Sequence, residues 1–564
     1  MNNLLNQTEY LPCVKSTPER RRRRASLLHG VRVLLLMLAA ALLVSVVGFE
    51  NRVAAQRQYA TATSSPSPTP VPPTPTPTPT PVQTGPGGLD ASFGVEGRQI
   101  VHFINRQARF GAIDRAHPQA VVVQPDGKIV VAGYAYIDFT DAAFALARFN
   151  PDGSFDQTFG TGGVVTTHLS KNDEAYALAL QPDGKIVAAG SSYTCPDTLP
   201  CYDFALVRYN PDGTLDPTFD GDGKVTTAFG SPELAEEAHE VLIQPDGKIV
   251  AVGLQVNDKF ALARYNPNGS LDETFGDGGR VLTNFGSARS LAFAAVLQPD
   301  GKIVAAGDAF VPGTSSDFAL ARYNTDGSLD PTFGVGGKVT TDFNRTFEDF
   351  ARALILQPDG KIVAGGWSNE NCVTCGGDGD SALARYNPDG TLDLTFGVGG
   401  RVTVDFAPEQ TDQIWGLALQ ANGKIVSNGS GPTVPATGGS HSEMAVGRFT
   451  SNGQLDPTFG EGGRVLIDFG IFNPPTAPTY GSGFTGDSGM AVTIQPDGKI
   501  VAVGYVVFGR HRHDFGIARL NGDPRRAPPP PPGPPTPPRN NEIPPGDPPP
   551  SDIEPAPTEE TPPH

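Results

Sequence analysis

A five-residue motif recurs along the chain at intervals of 54 to 75 residues. Gln-Pro-Asp-Gly-Lys begins at positions 124, 181, 244, 298, 357 and 495, and the variant Gln-Ala-Asn-Gly-Lys begins at position 420. Two further motifs, Ala-Leu-x-Arg-Tyr-Asn-Pro-Asp-Gly and Leu-Asp-x-Thr-Phe-Gly, alternate with it. The chain therefore uses one unit seven times. Such short units depend on their neighbours to bury their apolar faces, which predicts one repeat domain over 89–522.

Each unit is predicted to contain four β-strands. In the second unit, apolar stretches at 176–181 and 185–190 flank the first Pro-Asp-Gly turn, and 204–210 and 214–219 flank the second. Proline presets φ at the first turn position, and glycine accepts positive φ at the third. This chemistry is typical of a three-residue hairpin loop with a G1 bulge. No long series of apolar residues at helical spacing appears outside the N-terminus, so the sequence predicts an all-β fold.

Seven four-stranded units can stack radially into a β-propeller. The repeats begin with a fourth-strand motif at 89–103 and finish with a third strand at 514–521. We therefore predict a seven-bladed propeller of four-stranded blades, closed by pairing of the N-terminal strand with the last blade. The alternative is an open β-solenoid, which would need a cap at each end.

The second turn of each unit places an arginine opposite an aspartate. A three-residue loop at 211–213 makes Arg208 face Asp216, and every unit repeats this arrangement. The pairs are Arg148 with Asp156, Arg208 with Asp216, Arg264 with Asp272, Arg322 with Asp330, Arg385 with Asp393, Arg448 with Asp456 and Arg519 with Asp90. We interpret them as structural cross-strand ion pairs, worth about 0.2–1 kcal/mol each if exposed. The alternative is a functional ring, but a binding site seldom needs seven equal copies.

The N-terminal region predicts export. Residues 1–32 are basic, and 33–49 form an uncharged apolar segment. Two interpretations remain open: a cleaved secretory signal, or a retained membrane anchor with the N-terminus inside. A loose twin-arginine match is a third, minor route. Each places the bulk of the chain outside the cytoplasm, on the cell surface, in the envelope or secreted.

Proline-rich flanks border the repeats. Residues 50–88 are rich in proline, threonine and serine and predict an extended stalk, and 523–564 predict a disordered tail.

The chain carries a net charge of −18 although its N-terminus is basic, so the remainder is strongly acidic. An acidic surface repels phosphate backbones and argues against nucleic acid as a partner. We expect a monomer whose partner is an unidentified envelope protein or a glycan.

Four cysteines lie in two local pairs, Cys195 with Cys201 and Cys372 with Cys375. In an exported chain, two short-range pairs predict loop disulfides. A zinc site needs four ligands where each loop offers two, and a redox Cys-x-x-Cys needs a βαβ context.

Loop lengths indicate where binding could occur. The Pro-Asp-Gly hairpins keep their length, whereas the connections between strands two and three, and between units, vary on one common face. Binding commonly evolves in such loops. Acidic residues recur near that face, just before the third strand, where they could bind a cation or cap backbone amides: Asp203, Asp317, Asp380, Glu443 and Asp514.

Other candidate sites are fragmentary. The Asp-Gly segments 220–223 and 378–380 resemble parts of calcium loops but lack a full ligand set. His511 and His513 with Asp514 could hold a metal, although adjacent arginines oppose it. No nucleophile elbow, zinc helix or phosphate loop appears in a usable context, so we expect no catalytic residue. No cofactor is expected, and Ca²⁺ stays an open possibility.

The motifs Gln-Pro-Asp-Gly-Lys-Ile-Val, Phe-Ala-Leu-Ala-Arg-Tyr-Asn-Pro-Asp-Gly and Leu-Asp-Pro-Thr-Phe-Gly-x-Gly-Gly-Lys-Val resemble the delta-60 repeat family of bacterial envelope and secreted proteins. The resemblance covers about 89–522. It implies a propeller-like repeat domain and brings no established activity. We therefore expect a non-enzymatic binding or scaffold protein acting through its variable face. The alternative is an extracellular glycan hydrolase or lyase, which rests on analogy of fold alone.

Overall fold

The computed structural model describes residues 85–103, 114–136, 141–194, 201–230, 235–255, 259–286, 289–343, 347–369, 379–406, 411–433, 441–469, 486–508 and 512–523. These segments consist of strands, turns and short connections, with no α-helix among them. Nothing in them forms a helix of the length and apolarity that membrane crossing requires. The N-terminal 1–84 and the tail after 523, with the predicted anchor, stalk and tail, lie outside the described residues.

The strands are short and regularly spaced. In chain order the first half comprises β1 (Arg98–Val101), β2 (Asp114–Val123), β3 (Ile129–Tyr136), β4 (Ala142–Phe149), β5 (Val164–Thr167), β6 (Lys171–Leu180), β7 (Ile186–Tyr193), β8 (Tyr202–Tyr209), β9 (Lys224–Thr227), β10 (Glu236–Ile243), β11 (Ile249–Gln255), β12 (Lys259–Tyr265) and β13 (Arg280–Thr283). The second half comprises β14 (Ser290–Leu297), β15 (Ile303–Val311), β16 (Ser315–Tyr323), β17 (Lys338–Thr341), β18 (Asp349–Leu356), β19 (Ile362–Asn369), β20 (Gly379–Tyr386), β21 (Arg401–Val404), β22 (Gln413–Leu419), β23 (Ile425–Thr433), β24 (His441–Phe449), β25 (Arg464–Ile467), β26 (Ser488–Ile494), β27 (Ile500–Val507) and β28 (Arg512–Leu520).

Most of these strands form separate four-stranded antiparallel sheets. The strands β6–β9, β10–β13, β14–β17, β18–β21 and β22–β25 each pair in sequence order. The other eight strands form one sheet in the order β26-β27-β28-β2-β3-β4-β5, with β1 also paired to β28. Its two halves meet through a two-residue parallel bridge between β2 and β28. This all-β architecture of four-stranded sheets agrees with a propeller.

The two ends of the repeat domain are neighbours. Strand β1 runs antiparallel to β28, with Arg98 opposite Ala518 and Val101 opposite Phe515. The first strand of each sheet contacts the first strand of the next, from β2 to β6 and onward to β22 and β26, and β26 contacts β2. Apolar clusters fill the spaces between successive sheets. The middle strands are therefore buried on both faces, which explains their continuous apolar sequences.

A buried ion pair lies at the second hairpin of each unit. Arg264 Nε is 2.7 Å from Asp272 Oδ2, and both side chains are 6% exposed. Lys248, from the first turn, lies 2.9 Å from the same carboxylate. The Arg264 guanidinium also stacks 4.4 Å from the Phe275 ring centroid and donates to the Thr325 carbonyl of the next unit. The sequence led us to consider these pairs on an exposed face, whereas here the pair is covered by the next unit.

The arrangement recurs in the other units. The arginine Nε to aspartate Oδ2 distances are 2.7 Å for Arg148 and Asp156, 2.7 Å for Arg208 and Asp216, 2.8 Å for Arg322 and Asp330, 2.8 Å for Arg385 and Asp393, 2.8 Å for Arg448 and Asp456, and 2.7 Å for Arg519 and Asp90. All but one of these arginines donate to a turn carbonyl of another unit: Pro211, Pro267, Pro388, Ser451 and Pro151. Arg448 instead lies 3.0 Å from the carboxylate of Asp523.

These aspartates predict acid sensitivity. Burial alone would raise the pKa of Asp272, but hydrogen bonds from Lys248 and Thr274 and the charge of Arg264 outweigh it and hold the pKa well below its usual range. A depressed pKa stabilises the fold above the unfolded value near pH 4, and that contribution is lost as pH falls through the folded value. We expect the melting temperature to fall steeply from about pH 4 to pH 2. The Asp272→Asn variant should reduce the slope of unfolding free energy against pH by up to about 1.4 kcal/mol per pH unit; an unchanged slope would contradict this role.

Buried tyrosines tie neighbouring sheets together. A third-strand tyrosine donates to a threonine in the last strand of the preceding sheet: Tyr209 to Thr167 at 2.9 Å, Tyr265 to Thr227 at 2.8 Å, Tyr323 to Thr283 at 2.9 Å and Tyr386 to Thr341 at 2.9 Å. Elsewhere both positions are apolar together: Phe149 with Val101, Phe449 with Val404 and Leu520 with Ile467. A buried hydroxyl needs a partner, so the two positions change as a pair.

This pairing predicts a double-mutant result. Tyr265→Phe should lower the unfolding free energy by about 1–2 kcal/mol, because the Thr227 hydroxyl loses its buried donor. Adding Thr227→Val should recover most of that loss, since it recreates the Phe449 and Val404 combination. Equilibrium urea unfolding measures both. If the double variant is as unstable as the sum of the singles, the hydrogen bond is not what couples the two positions.

Candidate functional site

Each first strand carries a β-bulge at the same place. In β18, Ala351 pairs with Gly366 and Ala353 with Gly365, so Arg352 is left without a partner residue on β19. The glycine on the second strand permits this, because a Cβ at Gly366 would lie 1.8 Å from the Phe350 carbonyl oxygen. The bulge turns the unpaired side chain away from the ladder.

The unpaired residues of the seven first strands line one cavity. These bulge residues are Gln119, Tyr176, His239, Phe293, Arg352, Trp415 and Met490. The cavity has a volume of about 450 Å³. The residue after each bulge also lines it and is alanine or glycine in six strands and Glu240 in β10. Each of the seven first strands thus supplies a different side chain at the bulge.

Five neighbouring bulge residues form a continuous aromatic and cationic arc. The Tyr176 ring stacks on His239 with centroids 4.6 Å apart, and His239 contacts Phe293 at 4.9 Å. The Arg352 guanidinium lies 3.6 Å from the Phe293 centroid and 5.9 Å from that of Trp415. This arc offers flat apolar faces together with hydrogen-bonding groups, which is the composition of small-molecule sites.

Carboxylates surround the tyrosine and histidine of the arc. The Tyr176 hydroxyl donates to Glu174 at 2.6 Å, and His239 Nε2 is 3.1 Å from Glu237. Burial raises the pKa of Glu174, and burial with the nearby Glu237 and Glu174 charges raises the pKa of Tyr176 well above its usual range. Burial also raises the pKa of Glu240 to about 7. Glu240 can therefore exist in both protonation states near neutral pH.

Arg352 is held by a buried aspartate and by two aromatic rings, which together we call the Arg352 cage. Its guanidinium lies 3.2 Å from the fully buried carboxylate of Asp308 and is 4.8 Å from the Trp367 ring and 5.2 Å from the Phe350 ring. Burial lowers the pKa of Arg352 to about 10, so it stays charged at neutral pH. Burial raises the pKa of Asp308, against the charges of Arg352 and Arg289.

A histidine cluster lies between β2 and β28. The His117 ring stacks on Tyr134 with centroids 5.1 Å apart, and its Nε2 is 3.2 Å from His513 Nδ1. Burial, followed by the charge of His513, lowers the pKa of His117 to about 3, so this imidazole is neutral. His513 contacts His117, whereas the neighbouring Asp514 contacts His102 at 2.7 Å.

The acidic residues predicted before the third strand have different surroundings. Asp317 lies within 4.8 Å of Asp342 and Asp349, and Asp380 forms the equivalent group with Asp405 and Asp412. Other residues near the same strand ends cap backbone amides. Asp349, for example, accepts a hydrogen bond from the Phe343 amide at 2.8 Å. Burial raises the pKa of Glu443 to about 7.

The remaining predicted residues fall partly outside the described chain. Cys201 is buried and disulfide-bonded, while its predicted partner Cys195, both Cys372 and Cys375, and His511 lie outside the described residues. In the 220–223 segment Asp222 accepts from the Lys224 amide at 3.0 Å, which is a turn contact.

Sequence reasoning missed the bulge residues. A signal was present: each bulge residue lies five positions before the glutamine that opens the first turn. Aligning the seven units on that glutamine shows seven different residues at this position.

Comparison with known sequences supports the repeat. A β-propeller family described as a domain of unknown function (DUF5122) matches residues 124–159, 181–219, 244–275, 298–333, 357–396 and 495–523. The match supports a β-propeller repeat family, while the finer delta-60 assignment stays a prediction. Each matching segment starts at the glutamine that opens the first turn of a unit. No curated protein shows significant similarity to the chain.

The solved structures similar to this chain share little sequence identity with it. A protein of unknown function from Dyadobacter fermentans is 12% identical with a TM-score of 0.36, covering 76% of this chain and 100% of its own. The polysaccharide lyase Uly1 is 13% identical with a TM-score of 0.43, covering 74% and 93%. An α-L-arabinanase of Penicillium chrysogenum is 11% identical with a TM-score of 0.37, covering 61% and 92%. Similarity at this level carries no argument about activity.

The Arg352 cage predicts a compensating pair of substitutions. Arg352→Met should destabilise the fold by about 3 kcal/mol, because it leaves the buried Asp308 carboxylate with only Arg289, 3.7 Å away. Adding Asp308→Asn should recover much of this loss, since no buried charge then needs a partner. Thermal and urea unfolding of the single and double variants measure the coupling. Additive losses would contradict a functional pairing of the two charges.

Proposed function

We propose that the chain is an exported cell-envelope or secreted protein that binds a glycan or a surface partner without transforming it, with the ligand seated on the bulge residues. The observation that carries this proposal is the set of seven different side chains around one cavity in an otherwise repetitive domain. Repetition serves the fold, so its local breakdown indicates selection for another purpose.

We propose further that the sheets are seven blades of a closed propeller. Three features support closure: β1 pairs with the last strand β28, β26 contacts β2, and Arg519 reaches the turn carbonyl of Pro151 in the first complete unit. A closed ring directs all seven bulge residues toward one axis. The variable connections then surround one mouth of the cavity, which agrees with binding from the variable face.

A glycan suits the chemistry of this site. Sugar rings present flat C–H faces and peripheral hydroxyls, and the arc offers Tyr176, Phe293 and Trp415 rings beside polar groups of His239 and Glu240. The cavity volume of about 450 Å³ lies within the usual range of small-molecule sites. The same features would accept the side chain of a protein partner inserted into the cavity, and a binding screen separates these outcomes.

Intrinsic fluorescence gives a direct test. Trp367 and Trp415, the only tryptophans of the chain, both stand at this site. Titration with envelope polysaccharides and their fragments should shift the emission when a ligand binds. Trp415→Ala should weaken that binding about tenfold or more, as loss of an aromatic contact of about 1.4 kcal/mol implies.

The control is Phe310→Ala, which removes an exposed aromatic ring away from the cavity. It should leave affinity unchanged by calorimetry. Binding that survives both Trp415→Ala and Tyr176→Ala would place the ligand elsewhere and overturn the assignment.

Export is part of the proposal and rests on the sequence of 1–49. Both the cleaved signal and the retained anchor deliver the repeat domain to the outside. Mass spectrometry of the mature N-terminus distinguishes them: cleavage after the apolar segment supports secretion, and an intact N-terminus in the membrane fraction supports anchoring. Recovery of the intact chain from the cytoplasm would oppose export.

A second candidate function is cleavage of a glycan in the same cavity, by a hydrolase or a lyase reaction. Glu240 favours it, because a carboxyl whose pKa is raised to about 7 suits general acid or base catalysis near neutral pH. In that case a bound glycan is consumed, and Glu240→Gln abolishes turnover while binding persists. Chromatography of the glycan after incubation decides: unchanged glycan supports binding alone.

A further inference from the structure

Three carboxylates converge where two neighbouring sheets meet. Asp317 belongs to β16, Asp342 directly follows β17, and Asp349 begins β18. One oxygen from each lies within 4.8 Å of the others. We call these residues the acidic triad. They are separate from the cavity and its bulge residues.

The triad has unused ligand atoms. Asp317 and Asp349 are 2% and 0% exposed. The Oδ1 atom of each lacks a hydrogen-bond partner within the described residues, although their other oxygens accept from Thr314 and from the Phe343 amide, and Ser368 also hydrogen-bonds to the Asp349 carboxylate. A buried carboxylate oxygen without a partner carries a desolvation cost that a bound cation would remove.

From these contacts we propose that the acidic triad is a binding site for a divalent cation of the calcium type. Carboxylate oxygens are hard ligands, which suit Ca²⁺, Mg²⁺ or Mn²⁺ and not the softer transition metals. Two oxygens on opposite sides of Ca²⁺ lie about 4.8 Å apart, twice a typical Ca–O distance of about 2.4 Å. The spacing therefore accommodates Ca²⁺, with water supplying further ligands.

The repeats provide an internal comparison. At the next junction Asp380, Asp405 and Asp412 occupy the same three positions and again lie within 4.8 Å of one another. At the preceding junction the three positions hold Lys259, Asn284 and Ser290. The junction with a lysine at the first position thus has none of the three carboxylates. We expect a second ion at the Asp380 junction and none at the Lys259 junction.

Calcium titration of the EDTA-treated full-length protein tests the proposal. Isothermal calorimetry with CaCl₂ alone should report two ions for the wild type and one for Asp349→Asn. At a hundredfold excess over Kd, each ion should raise the melting temperature by about 3 °C. Ser290→Ala, at the equivalent position of the lysine junction, is the matched control and should keep both ions. A parallel titration with MgCl₂ should show weaker binding, because Mg²⁺ demands shorter, octahedral coordination.

Asp342→Asn provides a second variant in case the buried substitution impairs folding, since Asp342 is only half-buried. Its circular dichroism in EDTA should match the wild type, and it should also bind one ion fewer. The proposal is overturned if the wild type binds no Ca²⁺, or if a folded Asp342→Asn variant keeps the wild-type number of ions.

Discussion

The buried guanidinium–carboxylate contact of each second hairpin is the interaction on which the repeat domain depends. Burying both charges is costly, and the cost is offset only where hydrogen bonds satisfy them fully. At Asp272 the partners are Arg264, Lys248 and Thr274, and the arginine also reaches the Thr325 carbonyl of the following unit. Each hairpin is thus complete only when the next unit is in place. Short units that are unstable alone become one cooperative domain through this dependence.

Turn chemistry made the strand order predictable. The Pro-Asp-Gly turns set the hairpin register that places Arg208 and Asp216 within 2.7 Å of each other. The burial of that pair could not be inferred, because the covering group is a carbonyl 59 positions away, at Pro267. The alternation of apolar and polar residues did not indicate the buried face either. The middle strands are apolar on both faces, so their sequences do not indicate which residues face the neighbouring sheet.

The cavity was missed for a different physical reason. Its residues lie at bulges, and a bulge depends on how closely two strands approach, here at the glycine opposite it, such as Gly366 beside the Phe350 carbonyl. The glycine was visible in every unit, but its effect on the partner strand follows only from the pairing register. The acidic triad likewise draws on three strands of two sheets. Sequence suggested Asp317 as a possible cation ligand, whereas Asp342 and Asp349 join it only through packing.

The contacts between units and the bulge residues lie in different parts of the domain. The scaffold can therefore repeat while the residues that line the cavity differ. The arginine–aspartate contacts lie at the second hairpins. The tyrosine–threonine hydrogen bonds join a third strand to the last strand of the preceding sheet. At both places every unit must fit its neighbour. A bulge residue such as Met490 or Gln119 makes no ladder pair and lines a cavity, so its identity contributes little to that fit. Arg352 is the exception, because its guanidinium pairs with the buried Asp308 carboxylate. Repetition of the scaffold therefore constrains the other six bulge positions less than it constrains the contacts between units.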